Sequence, residues 1–311
     1  MQPDQVLVVD VGGTKLATGL VDRSGELVGE QRTPTPPDGD GEAIWAALVA
    51  GLERSLDAAG RPPVQAIGVG CGGPMEWPAG AVSPLTMTGW RGFPLRARLQ
   101  ERFGVPVRLH NDAICVAIAE HWRGAGVGRR NMLGMVVSTG VGGGLILGEQ
   151  LHDGATGNGG HIGHVVVEPD GPACRCGGRG CLEAVARGPA VAAWAVQHGW
   201  DDGEPTAAAV TVSARAGNEI ALAALTRAGR AVGLALASTV ALLDLELVCI
   251  GGGLSQAGDL LFGPLAAAYA DYAGVHYARE SRVVPAALGQ RAGLVGAAAL
   301  VLQGERYWHA D

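Results

Sequence analysis

The chain has 311 residues, of which 48% are hydrophobic, 17% charged and 51 are glycine; the glycines fall in short groups with no fixed period, which excludes disordered and collagen-like chains. Lys and Arg number 23 against 30 Asp and Glu, a formal charge of -7, which excludes wholesale coating of nucleic acid but not a small anion held by backbone N–H groups. No run reaches the roughly 18 uninterrupted apolar residues of a membrane span. Residues 1–9 (MQPDQVLVV) lack the basic start of a signal peptide, so a cytoplasmic location without membrane partners is expected.

Residues 5–11 (QVLVVDV) predict a strand, Gly12-Gly13 a turn, and 16–21 a second strand. Ile44, Leu48, Leu52 and Leu56 give 42–59 helical periodicity, and 65–71 reads as a buried strand before Gly72-Gly73-Pro74. Residues 106–109 lead into Asn111-Asp112, and 113–122 look helical. After a loop at 124–131 the pattern restarts: strands at 132–138 and 143–147 flank the turn Gly140-Val141-Gly142-Gly143-Gly144. Helices follow at 189–199 and 217–243, then a strand at 245–250 ending in Gly251-Gly252-Gly253, and a closing helix at 291–303. Two such units suggest a duplicated α/β architecture with a cleft between halves. The glycine turns join strand to strand instead of opening a helix, so neither a dinucleotide fingerprint nor a Walker loop is present.

Asp10-Val11-Gly12-Gly13-Thr14-Lys15 supplies a carboxylate, two glycines, a hydroxyl and a cation, the inventory for a metal-bound polyphosphate; a plain hairpin turn is the alternative. Ser138-Thr139-Gly140 and the glycines after it add a second hydroxyl-bearing turn, and together the two suggest a two-sided phosphate clamp. Asp112 can cap a helix or orient an attacking hydroxyl and take its proton. His164, Cys174, Cys176 and Cys181 lie within 18 residues, the four-ligand set of a structural zinc site, in glycine-rich loops that could not pack by apolar contact alone. Cys71, Cys115 and Cys249 sit among apolar neighbours as core residues. His110, His121, His152, His198, His276 and His309 fall outside any ligand spacing, in surface or satisfied structural roles.

In order and spacing, the turn at Asp10 to Lys15, Asn111-Asp112, Ser138 to Gly144, the run Gly157 to His164 and Cys174-x-Cys176-Gly-Gly-Arg-Gly-Cys181-Leu182-Glu183 resemble the ROK family of sugar kinases from residue 6 to the end of the chain. The resemblance implies an actin-like, ribonuclease H-like ATPase fold of two α/β domains, residues 1–123 with about 291–311, and 124–290, around a central cleft. It implies ATP with Mg2+, structural Zn2+, a small-molecule sugar and a homodimer or homotetramer. By this match Asp112 is the general base on the sugar 6-hydroxyl, and Gly73, Asn111, His164 and Glu183 hold other hydroxyls, His164 using one ring nitrogen for zinc and the other for sugar. Asp10, Gly12, Gly13, Thr14 and Lys15 face the Mg-ATP phosphates with Thr139 and Gly140, and Gly251, Gly252 and Gly253 lie near the adenosine.

His161 stands where glucokinases of the family carry Glu. A carboxylate only accepts hydrogen bonds, whereas neutral imidazole offers one donor and one acceptor, so His161 fits a sugar with a carbonyl or a reoriented group near C2. N-acetylmannosamine kinases of the family share the Gly-His-Ile-Gly-His run, which makes N-acetylmannosamine the expected acceptor, with glucose or a kanosamine-type amino sugar as alternatives. Thr86 replaces an Asn on the substrate-side loop 86–90, where Trp90 reads as a packing anchor, and Ile114 replaces an Asn after Asn111-Asp112-Ala113. A sugar-responsive regulator would resemble this chain with an added helix-turn-helix, for which the nine residues before Asp10 are too few. A non-catalytic sugar sensor is disfavoured by the intact Asp10, Lys15 and Asp112.

Overall fold

The computed structural model describes residues 5–36, 40–85 and 87–309; Thr86 lies outside them. The chain divides into two compact units, Met1–Gly128 with Gly144–Gly159 and Ala287–Asp311, and Arg129–Gly143 with Gly160–Ala286. In chain order the first stretch forms β1 (Gln5–Val11), β2 (Lys15–Asp22), β3 (Leu27–Pro34), α1 (Gly41–Ala58), β4 (Ile67–Cys71), the short pair β5 (Met75–Glu76) and β6 (Ala81–Val82), α2 (Leu95–Phe103), β7 (Val107–Asn111) and α3 (Asp112–Arg123). Next come β8 (Met132–Val137), β9 (Val141–Leu147) and β10 (Gln150–Leu151). The remainder is α4 (Leu182–Ala186), α5 (Gly188–Gln197), α6 (Ala207–Arg215), α7 (Glu219–Leu243), β11 (Leu247–Gly251), α8 (Asp259–Tyr272), α9 (His276–Glu280), β12 (Arg282–Pro285), α10 (Ala292–Leu302) and α11 (Gly304–Tyr307).

One five-stranded sheet runs β3-β2-β1-β4-β7 and the other β10-β9-β8-β11-β12. In the first, β1 pairs antiparallel with β2 and parallel with β4, which pairs parallel with β7. In the second, β11 lies parallel to both β8 and β12, and β9 antiparallel to β10. The two sheets thus share one topology, so the duplication inferred from two strand–turn–strand units is a duplication of whole sheets.

Parallel strands covered on both faces read as continuous apolar runs, and Val6 to Val9 of β1 are fully buried. On one side α1 presents Ile44, Leu48, Leu52 and Leu56, its first turn closed by Asp40, which accepts the Glu42 N–H at 2.9 Å. Across the sheet α10 lies against β1 and β4 so closely that a Cβ at Gly68 would overlap the Ala297 carbonyl, and one at Gly296 the Cys115 carbonyl of α3. Trp90 is the anchor expected: fully buried, its ring stacks on Phe93 at 4.4 Å and its indole N–H donates to the Gly41 carbonyl at 3.0 Å.

The second turn is shorter than the sequence suggests. Only Ser138–Gly140 turn, and Gly142, Gly143 and Gly144 belong to β9. Gly143 and Gly144 are needed for approach and not for bending: a Cβ at Gly143 would meet the Gly134 carbonyl at 2.9 Å, and one at Gly144 the Ile114 Cα at 3.0 Å. Helix α7 is long and apolar enough, by length and composition, to cross a membrane; 61% of its most apolar window is buried within the fold, and it carries Arg227 and Arg230.

Candidate active site

In the first unit the sequence-predicted residues converge on one sheet edge. Val11, Cys71 and Asn111 are register partners across β1, β4 and β7, so the turn Gly12–Thr14, the loop Gly72-Gly73-Pro74 and the start of α3 all leave from the carboxyl ends of neighbouring parallel strands. That edge is where open α/β sheets bind ligands. The turn closes by the Gly12 N–H donating to the Lys15 carbonyl at 3.0 Å, and Thr35 ties it down, its hydroxyl donating to the Gly12 carbonyl at 2.7 Å. Gly13 and Thr14 stay exposed at the tip.

The helix cap falls to Asn111 and not to Asp112. Asn111 Oδ1 accepts the Ala113 N–H at 3.0 Å, which leaves its amide nitrogen, a donor, facing Gly73; a Cβ on Gly73 would come within 3.3 Å of it. Asp112 begins α3, and its Oδ1 takes the Ala113 N–H at 2.8 Å, an ordered carboxylate at a helix N-terminus. Burial nevertheless pushes its carboxyl above the usual value, against the lowering effect of that N–H. Asp10, at the end of β1, is pushed up to about 7 by burial and by the charge of Asp112, opposed by Lys15 and Arg32.

A folded-state value above the unfolded one favours the protonated fold. The Asp10 contribution to stability is present below 3.8 and lost as pH rises through about 7. Asp10→Asn is therefore expected to raise the melting temperature of the ligand-free chain near pH 8 and to change it little near pH 4, in thermal melts at the two pH values. Equal shifts at both would contradict the buried-carboxylate account.

In the second unit Ser138, Thr139 and Gly140 follow β8, whose Val136 is the register partner of Gly251 at the end of β11. The two glycine segments touch: Gly252, at φ 96°, packs against the Val137 carbonyl, where a side chain would overlap, and a Cβ on Gly253 would lie 3.6 Å from Ser138 Oγ. Glu183, in the first turn of α4, reaches the same turn, its Oε2 accepting the Val141 N–H at 2.9 Å beside Gly140.

His164, Cys174, Cys176 and Cys181 come together with all ligand atoms within 4.8 Å of one another. Cys176 and Cys181 sulfurs stand 3.7 Å apart, and Cys174 Sγ lies 3.8 Å from His164 Nδ1. Metal–sulfur bonds of about 2.3 Å in a tetrahedron give edges of about 3.8 Å, whereas a disulfide needs about 2.05 Å, so this donor set fits zinc and not a cross-link. Nδ1 faces the thiols, which reserves Nε2 for another partner. The cluster also ties the loop to α4, since Cys181 precedes Leu182, whose N–H donates to the Val165 carbonyl at 2.8 Å. His161 stacks on His164 at 5.4 Å, its planes 9° apart; burial, then His164, hold its ring below the usual histidine value against Glu183.

In the first unit, two residues that sequence reasoning left in the background stand next to Asn111. His110 is fully buried next to Asn111 and hydrogen-bonds Asp153, which also holds His309. Its position immediately before Asn111-Asp112 was the available signal, but Asp153 lies 43 residues downstream, beyond any local spacing.

These paired sheets, with glycine turns after β1 and β8, are the actin-like ATPase fold in the form that ROK sugar kinases share. The chain belongs to the ROK family, whose profile matches residues 6–304. It is similar to the glucokinase of Halalkalibacterium halodurans, 35% identical over 96% of this chain and 94% of that one. It is also similar to the N-acetylmannosamine kinase of Yersinia pseudotuberculosis, 35% identical over 93% of this chain and 99% of that one. A solved ROK family glucokinase from Streptomyces griseus, in complex with glucose and AMPPNP, superimposes with a TM-score of 0.83 at 32% identity, covering 96% of this chain and 100% of that one.

Proposed function

We propose that the protein is an ATP-dependent sugar kinase that phosphorylates the 6-hydroxyl of a hexosamine, N-acetylmannosamine. Kinase relatives across the whole chain support the class, and the observation that carries the chemistry is the ordered Asp112 carboxylate at the start of α3, beside the Asp10 turn. Asp112 accepts the proton of the sugar 6-hydroxyl as that oxygen bonds to the γ-phosphorus and the bond to ADP breaks. Asn111 Nδ2, with its carbonyl committed to the cap, donates to a sugar hydroxyl. Gly12, Gly13, Thr14, Thr139 and Gly140 offer backbone N–H groups and hydroxyls to the phosphates, Lys15 supplies a cation, and Gly251 to Gly253 flank the adenosine. Mg2+ bound with ATP neutralises phosphate charge, and Asp10 is the carboxylate suited to orient it.

Acceptor choice rests on His161, where a ring able to donate and accept replaces the acceptor-only Glu of the family's glucokinases. His164 Nε2 and Glu183 serve the remaining hydroxyls. Glucose is the second reading, favoured by the equal identity to a glucokinase. ADP release with Mg-ATP is measured against N-acetylmannosamine, glucose, N-acetylglucosamine, fructose and kanosamine, for wild type and His161→Glu. N-acetylmannosamine is expected to be the best acceptor, with the variant shifted toward glucose; glucose winning in both would overturn the reading of His161.

A further inference from the structure

Asn111 ends β7, an edge strand of the first sheet, and is 8% exposed. An N–H buried there needs a partner, and it finds the preceding side chain: the Asn111 N–H donates to His110 Nδ1 at 2.8 Å. A backbone N–H can only donate, so Nδ1 carries a lone pair and the ring proton sits on Nε2. Nε2 lies 2.9 Å from Asp153 Oδ1, and the other Asp153 oxygen lies 2.9 Å from His309 Nδ1. Burial raises the Asp153 carboxyl, but hydrogen bonds from His110 and His309 outweigh it and leave it below the usual range, an ionised acceptor. The Trp77 ring covers His110 at 6.0 Å, and Gly157 lies against the Trp77 ring with no room for a Cβ.

We propose that His110 is a positioning residue: fixed in its Nε2–H tautomer by Asp153, it sets the backbone of Asn111 and so the placement of the Asn111 amide and the Asp112 carboxylate against the sugar. The inference rests on the kinase reading of Asp112. Asp153 comes from the loop that closes between His152 and Gly159, where the Gly159 N–H donates to the Asp153 carbonyl at 2.8 Å. This makes the 153–159 loop part of the support of the catalytic strand end. Second partners that fix a functional imidazole are worth about 10- to 100-fold when removed from metal sites, and a similar loss is expected here.

The test compares Asp153→Ala, Asp153→Asn and Asp112→Asn, with kcat and KM measured on the folded fraction and the His110 ring nitrogens observed by 15N NMR in the wild type. Asp153→Ala should lower kcat about 10- to 100-fold and leave KM for Mg-ATP unchanged. Asp153→Asn, whose amide oxygen still accepts from Nε2–H, should recover most of that loss, which a merely structural role would not produce. Wild-type kcat in Asp153→Ala alongside an inactive Asp112→Asn overturns the inference alone. A proton on His110 Nδ1 in the wild type overturns it even where a variant fails to fold. Near-normal turnover in Asp112→Asn instead removes Asp112 from the role of base, and this inference with it.

Discussion

Asp112→Asn is expected to lower sugar-dependent ADP release by about 10²- to 10⁴-fold while the protein melts at or above the wild-type temperature. The two halves of the expectation have separate causes. The rate falls because an amide cannot take the proton of the attacking hydroxyl. The fold survives because Asn Oδ1 still accepts the Ala113 N–H that Asp112 accepts at 2.8 Å, and because burial already disfavours the ionised carboxylate. A raised folded-state pKa means that ionisation works against the fold as pH rises, so a neutral isostere removes a penalty at neutral pH. The same raised value places the acid limb of kcat/KM above the ordinary carboxylate range. Steady-state kinetics and thermal melts decide the matter: near-normal turnover, or a large drop in melting temperature, would remove Asp112 from the role of base.

Cys181→Ser is expected to abolish stoichiometric zinc, lower the melting temperature by on the order of 10 °C and abolish sugar turnover. Removing one thiolate leaves His164, Cys174 and Cys176, three ligands in loops held by few apolar contacts, with Gly177, Gly178 and Gly180 between them. Structural zinc sites contribute apparent free energy on the order of 10 kcal/mol, far above what those loops retain without the ion. Activity is lost with stability because two proposed sugar residues depend on the cluster. His164 is itself a ligand, and Glu183 sits two residues past Cys181 at the start of α4. Metal analysis of the purified protein and melts of the variant test this; a metal-free wild type, or an unchanged variant, would refute it.

Much of the fold was legible in the sequence where local chemistry is loud. Val6 to Val9 of β1 announce a buried strand, the Ile44-Leu48-Leu52-Leu56 stripe announces α1, and His164, Cys174, Cys176 and Cys181 sit close enough in sequence to be read as a set. Other elements were silent for physical reasons. Strand β3 is an edge with a mixed burial pattern, and α2 buries only Leu95 and Leu99 among three arginines, Gln100 and Glu101, so neither carries a clear period. The glycines of β9 misled, because close backbone approach and turning call for the same residue. Within the site, the division of labour between Asn111 and Asp112 depends on a helix cap that one residue of boundary shift reassigns. The pairing of His110 with Asp153 is a long-range contact that no spacing rule reveals.

The position of α10 in the chain bears on how the protein is made. The ribosome releases β1, β4 and α3 early, yet the helix that packs against them begins at Ala292, after the whole of Gly160–Ala286 has been synthesised. Gly68 of β4 and Gly296 of α10 meet their partners backbone to backbone. Domains commonly mature in the order of translation, N-terminal first. Here the nascent N-terminal sheet waits, one face uncovered, while the later unit already has every strand and helix it requires. The N-terminal sheet therefore meets its packing helix α10 only after every strand and helix of the later unit has been synthesised.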